Sequence, residues 1–240
     1  LQLLFMSIIA RQAGPEIIGK WAMVLAAAAI LHAVLFNWLQ AANARFGREQ
    51  WVESQSVKQI TSTRLPFVLL SFGIALLLVL FDPFQWLEYF FKLPSTWHWL
   101  VLIALIGAWF VSEARSNMQI RYDLQRIAII PIMINIVLII FLIFTGIKGN
   151  VMMISSFTLI ASIIFIPMII WFFVLGFEWH KLGSKEIELP RKIDVKNMVL
   201  YAWPLIPGFI LGFLSNWSDH LLIQFFMDDV IVLGLFHVAY

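Results

Sequence analysis

The chain has 240 residues, 62% of them hydrophobic and 12% charged, with a formal net charge of +2 and no cysteine. That apolar share exceeds what a water-soluble core of this size can bury, so the chain belongs in a bilayer. So small a net charge, with no basic stripe, argues against nucleic acid as a partner, and the lack of cysteine excludes disulfides, zinc thiolate sites and cysteine nucleophiles.

Apolar segments follow one another in chain order at residues 1–10, 21–40, 65–81, 97–114, 127–146, 151–175 and about 198–226, and an eighth begins near Gly234. The first is too short for a ~30 Å hydrocarbon core, which takes about 20 helical residues. Both ends are therefore expected to be cuts through a longer protein. The runs are continuous rather than alternating, which favours helices over a membrane β-barrel. The predicted fold class is an all-α integral membrane protein, a polytopic helical bundle.

Alternating the loops across the membrane puts 12 of the 16 Lys and Arg residues on one side, among them Arg45, Arg48, Arg64, Arg115, Arg121 and Arg126. By the positive-inside rule that side is cytoplasmic. The stretch "RQAGPEIIGKW" (11–21) then faces outward as a tight hairpin. Gly14-Pro15 stops the first helix, and Pro15 and Glu16 suit the opening turn of the next. The loop from Phe81 to Trp99 also faces outward, and its seven aromatic rings, Phe84 to Trp99, read as an anchor at the headgroup level. Residues 177–196 carry charge of both signs and read as a cytoplasmic linker between two halves.

In the seventh segment Pro204 and Pro207 predict a kink or break near the cytoplasmic end. Gly208 and Gly212 form a Gly-x-x-x-Gly pair, read as helix packing. At ~100° per residue, Gly208, Gly212, Ser215 and Asp219 fall on one small, polar face. An ionisable residue inside a membrane helix marks a pathway, an ion site or a pairing partner, and Asp219 is our candidate for binding a coupling cation or proton. His32 reads as a buried, hydrogen-bonded residue. The sequence shows no paired carboxylates, nucleophile elbow, phosphate loop or metal cluster, so neither catalytic nor metal-binding residues are expected and no cofactor is implied.

Ile18-Gly19-Lys20-Trp21 and Leu233-Gly234-Leu235-Phe236 share the pattern apolar-Gly-x-aromatic. They lie six helices apart and keep the same orientation, as a parallel-repeat transporter of two six-helix lobes requires. Division falls at 1–176 for the amino-terminal lobe, 177–196 for the linker and 197–240 for the start of a second lobe.

"IIARQAGPEIIGKWAMVLA" (8–26) and "YAWPLIPGFILGFLSNWSDHLLIQFFMDDVIVLGLFHVAY" (201–240) resemble the bacterial polysaccharide or O-antigen flippases, of the superfamily that includes multidrug antiporters and lipid II flippases. In the second stretch the resemblance lies in Trp203-Pro204-Leu205, Asp219 with the apolar run after His220, and Gly234-Leu235-Phe236-His237-Val238-Ala239. His220 stands where the family often has Arg or Lys, and Phe236 where Tyr is usual. The resemblance implies a two-lobe exporter that flips undecaprenyl-pyrophosphate-linked oligosaccharide across the bacterial cytoplasmic membrane. It also implies polysaccharide polymerase and chain-length proteins as partners beside the bilayer and the lipid-linked substrate. A pyrophosphate needs charge neutralisation and planar donors. The candidates are Arg45, Arg48 and Arg115, near Asn37, Gln40, Glu113, Asn117 and Gln119, whereas Arg121 and Arg126 read as solvated helix ends. An ion-coupled small-molecule antiporter of the same architecture is the close rival, and a membrane glycosyltransferase or polymerase the more distant one.

Overall fold

The computed structural model describes residues 14–147, 156–182, 194–227 and 229–239, and its regular elements there are all helices. The first apolar segment, Arg11, Lys148 and residues 183–193 of the expected linker lie outside the described residues. Helix α1 (Pro15–Leu35) continues through α2 (Asn37–Ala42), a π-helical turn (Asn43–Gly47) and α3 (Arg48–Ser54). Next come α4 (Lys58–Leu80), the short α5 (Trp86–Phe91), α6 (His98–Ile120), α7 (Leu124–Ile147) and α8 (Ser156–Leu182). Helices α9 (Val195–Ala202), α10 (Ile206–Met227) and α11 (Val230–Ala239) complete the described chain.

Among the described residues six stretches are long and apolar enough to cross a membrane: Pro15–Leu35, Lys58–Leu80, Ser95–Ile120, Leu124–Ile143, Ile160–Glu178 and Val195–Met227. They coincide with the second to seventh apolar segments, so the chain is an all-α, multi-pass membrane protein. Several helices run further than their apolar residues alone predict. Helix α1 starts at Pro15, because Gly14 takes a positive φ of 79° that no helix continues through and Pro15 suits the first helical position. Glu16 and Lys20 then neutralise each other across one turn at 2.5 Å, so the helix absorbs them. Likewise α8 extends to Leu182, taking in the first residues of the expected linker.

The long apolar run Val195–Met227 is broken by a 3-10 turn at Trp203–Leu205 that contains Pro204, and Pro207 lies in the first turn of α10. Proline there removes no bond the new helix needs, because the first turn leaves its N–H groups unpaired anyway. Asp194 caps α9, its Oδ1 accepting from the Lys196 backbone N–H at 3.0 Å.

Helix α1 is the axis of the bundle, with α6, α10 and α11 packed on it and α8 packed on α6. Its buried residues include Ala22, Ala26, Ala27 and Ala28, small enough to let neighbouring helices close in. Helices α4 and α7 stand at the periphery. Leu69, Leu70 and Leu77 on one, and Met133, Ile136 and Ile140 on the other, are exposed, as suits contact with lipid tails.

The two ends of the bundle differ. At the aromatic end, α5 turns Leu87 and Phe91 inward while Tyr89, Phe90 and Trp99 stay exposed, so only part of that loop faces outward as an anchor would. Here the two apolar-Gly-x-aromatic motifs meet. A Cβ on Gly19 would overlap Val230, and one on Gly234 would overlap the Pro15 carbonyl. Each glycine thus packs against the residue four before the other, a reciprocal crossing of α1 and α11. Contacts of that form arise where a two-fold-like relation joins two elements.

Candidate functional site

Toward the basic end, α2 and α6 part to leave a polar cavity of about 380 Å³, lined by Asn37, Gln40, Ala41, Ala44, Ser112, Arg115, Ser116, Gln119 and Phe209. Two helical stripes build most of it. Asn37, Gln40, Ala41 and Ala44 are spaced i, i+3, i+4, i+7, and so are Ser112, Arg115, Ser116 and Gln119, which places each set on one helix face. The chain turns at Phe36 (φ −121°), so the first stripe leaves the axis of α1. It then passes into the π-helical turn, a distortion that frequently accompanies functional sites.

Hydrogen bonds fix the wall. Ser112 Oγ donates to the Trp109 carbonyl at 3.0 Å and accepts from Gln40 Nε2 at 2.6 Å. His32 Nε2 lies 3.0 Å from the same oxygen, whose remaining lone pair makes His32 the donor there. One turn on, the buried Asn43 donates to Ser116 Oγ at 2.9 Å and to Asn117 Oδ1 at 3.2 Å. Behind the wall Arg64 of α4 and Glu113 of α6 form an ion pair at 2.6 Å, each side chain only 2% exposed. Sequence reading put Arg64 in a cytoplasmic loop, yet it lies inside α4, where Glu113 supplies the counter-charge that makes its burial tolerable. Helices are held close here too: a Cβ on Gly47 would stand 2.8 Å from Ile120 Cδ1.

The three candidate arginines part company. Arg115 is exposed to the cavity, its guanidinium 5.9 Å from the Trp171 ring centroid, and has no acidic partner among the described residues. Arg48 instead donates to the Ile120 carbonyl at 2.5 Å and lies 3.8 Å over the Tyr122 ring. Arg45 lies 4.3 Å over Tyr201 and 3.7 Å from Glu49. Neither Arg45 nor Arg48 lines the cavity. Their rings and carbonyl are partners suited to arginine's flat, delocalised cation.

Arg121 and Arg126 are not free, solvated helix ends. Both reach Glu178, which is 1% exposed; Arg126 does so at 3.2 Å and Arg121 in closer contact. Burial lowers the Arg121 pKa from its ordinary value, opposed by the nearby Asp123 carboxylate, and the group stays cationic. The pair clamps α8 to the end of α6 and the start of α7, since a carboxylate so buried demands cations beside it.

On α10, Gly208, Gly212, Ser215 and Asp219 are all exposed, and nothing lies within 4 Å of where a Cβ on either glycine would sit. Asp219 is thus separate from the cavity at α2 and α6. Its neighbour His220 points the other way, into the bundle, where Nε2 lies 2.7 Å from His237 Nδ1. Sequence reading missed Ser112, Ser116, Phe209 and this histidine pair. The serines were detectable as the i and i+4 positions of a polar stripe around Arg115; the pair joins helices 17 residues apart and left no local signal.

Membrane-crossing helices around a polar cavity lined by Arg115, which has no acidic partner among the described residues, define a multi-pass membrane protein with a polar cleft among its helices. The sequence matches the polysaccharide biosynthesis protein family over residues 1–240, and the chain belongs to that family. The resemblance carried by residues 8–26 and 201–240 is borne out. Members of the family are mainly transporters rather than enzymes. No curated protein and no solved structure matches.

Proposed function

We propose that the chain flips an undecaprenyl-pyrophosphate-linked oligosaccharide across the bacterial cytoplasmic membrane for surface polysaccharide synthesis. Residues 1–176 form its amino-terminal lobe, 177–196 the linker, and 197–240 the start of a second lobe. The observation that carries the reading is the cavity at α2 and α6, whose lining combines neutral hydrogen-bonding groups with Arg115, which has no acidic partner among the described residues. A polar headgroup crossing hydrocarbon needs such a lining, because each unsatisfied polar group costs about 1–3 kcal/mol. About 380 Å³ is the scale of a small-molecule site and suits a diphosphate with its first sugar, not a whole glycan. Arg115 takes the phosphate, while Arg45 and Arg48 form the basic approach to it from the cytoplasm.

The exposed face of Gly208, Gly212, Ser215 and Asp219, on the first long helix of the second lobe, faces the transport path, and the break at Pro204 and Pro207 lets α10 tilt. Asp219 serves as a coupling site there. Polysaccharide polymerase and chain-length proteins would receive the exported substrate.

The test is deletion of the parent gene in its own cell, with leaflet-resolved measurement of lipid-linked oligosaccharide and of surface polysaccharide. Accumulation on the cytoplasmic leaflet with loss of surface glycan is expected. Unchanged oligosaccharide would favour a small-molecule antiporter, and missing or unpolymerised oligosaccharide an enzyme of the same pathway. Equal transport by Asp219→Asn across pH and sodium concentration would remove the coupling role.

A further inference from the structure

His220 and His237 meet within the membrane, on α10 and α11. At 1.5 Å per residue each lies about 10 Å along its helix from the aromatic end, as does Trp21 on α1. The rings are 2.7 Å apart between His220 Nε2 and His237 Nδ1, so one nitrogen donates and the other accepts. His220 is 6% exposed and its second nitrogen, Nδ1, has no hydrogen-bond partner. One turn further, Gln224 is 1% exposed with both amide atoms unpartnered. A packed membrane interior rarely tolerates three such atoms in one place unless they serve a ligand.

Aromatic rings surround the two imidazoles. The His220 ring lies 5.2 Å from Trp217 and 5.3 Å from Phe236, and the His237 ring 5.7 Å from Trp21. Edge-on and tilted rings at that range enclose the two imidazoles and hold them in place. Asp219, adjacent in sequence, supplies the nearest carboxylate. Other charged groups on the elements packed here stand nearer the aromatic end: Glu16 and Lys20 of α1, which pair with each other, Asp229, which caps α11, and Glu88 on α5. His32 occupies the opposite end of α1, bound to Ser112. Among the described residues no third His, Asp or Glu joins the pair to form a metal cage.

We propose that His220 and His237 form a proton-binding site inside the membrane, through which transport responds to a proton gradient. With His220 Nε2–H donating to His237 Nδ1, the free lone pair on His220 Nδ1 takes up a proton from water at one face. The resulting imidazolium is held by His237 among the surrounding rings, with the Asp219 charge acting on it from the opposite face of α10, and the same proton is later released at the other face. On uptake an O–H bond of hydronium breaks as the N–H bond forms, and release reverses that exchange. Because Trp21 and the Gly19–Gly234 crossing tie α1 to the same spot, occupancy of the site alters how α11 sits on α1. The site stands on its own geometry, whereas its link to transport rests on the function proposed above.

The test uses the full-length protein, labelled with 15N in histidine and reconstituted in liposomes. Solid-state NMR of the unmutated protein should show a shared N–H···N signal between two imidazoles and protonation of that pair as the pH falls. The signal should vanish in both His220→Gln and His237→Gln. Flipping of lipid-linked oligosaccharide in the same liposomes should accelerate several-fold under an imposed pH gradient, and His220→Gln should lose that acceleration. Absence of the shared signal, or flipping indifferent to the gradient in the unmutated protein, overturns the proposal. A shared proton with no movement of oligosaccharide would overturn the flippase reading and leave the proton site standing.

Discussion

Two pairs of glycines divide the bundle into a closed half and an open one. Gly19 and Gly234 sit where α1 and α11 cross, each with the other helix's backbone or side chain pressed where a Cβ would be. Gly208 and Gly212, nearer the basic end of α10, face open space. The same residue type therefore seals the aromatic half and leaves the basic half accessible, and the polar cavity lies in the accessible half. What differs is the neighbour, not the helix. A bundle shut at one end and open at the other is the form that alternating exposure of a central site requires.

The open half is not loose, and the largest expected effect tests that. Arg64 and Glu113 hold α4 to α6 directly behind the cavity wall, each 2% exposed. Replacing one partner leaves a buried, uncompensated charge, which costs about 3–5 kcal/mol. Glu113→Leu should therefore unfold at a much lower temperature in detergent, whereas Arg64→Leu with Glu113→Leu should recover most of the loss. If the double variant is no better than the single ones, the pair does not act as a unit.

The next effect probes the closed half. An alanine at 234 must push against the Pro15 backbone, which has no rotamer to yield, and overpacking of that kind costs about 1–3 kcal/mol. Gly234→Ala should lower thermal stability and loosen α11 from α1, read as increased labelling of a cysteine placed at Val230. Gly19→Ala should behave alike, since the crossing is reciprocal.

Much of this was legible in the chain because hydrocarbon leaves few options. Six of the seven expected segments are helices that can cross a membrane, and the seventh, residues 1–10, lies outside the described residues. The Gly19 and Gly234 motifs were visible as a pattern, but their mutual contact depends on which helices cross, and no periodicity encodes that. Polar residues were harder. Asn37, Gln40 and Arg115 were recognisable by their stripe, while Arg64 read as loop because hydropathy drops where a charge is buried as readily as where it is solvated. Arg121 was misread for the same reason: its partner Glu178 lies 57 residues away in sequence. Separating Arg115 from Arg45 and Arg48 needed coordinates, since only the fold shows that Tyr122, Tyr201 and the Ile120 carbonyl occupy the other two.

That separation predicts a split between function and stability. Arg115→Ala should leave thermal stability within about 0.5 kcal/mol, as changes of exposed residues outside ion pairs do, yet reduce surface polysaccharide strongly at equal membrane level. Arg48→Ala removes a bond to the end of α6 and should cost about 1–2 kcal/mol, a charged hydrogen bond being worth somewhat more than a neutral one. Export by Arg115→Ala equal to the unmutated protein would remove the cation from the cavity's role.

The smallest effect belongs to Gly208 and Gly212. With nothing within 4 Å, an added methyl group clashes with no described atom, and alanine gains about 0.5–1 kcal/mol of helix propensity over glycine. Gly208→Ala and Gly212→Ala should therefore leave melting in detergent unchanged or slightly raised, in contrast with Gly234→Ala. If the exposed face of α10 meets another helix when the basic half closes, the same variants should slow export without touching stability. Unchanged export and stability would mean that no helix approaches this face at any stage of transport. A large loss of stability would mean that the face is already packed, and the division into open and closed halves would fail.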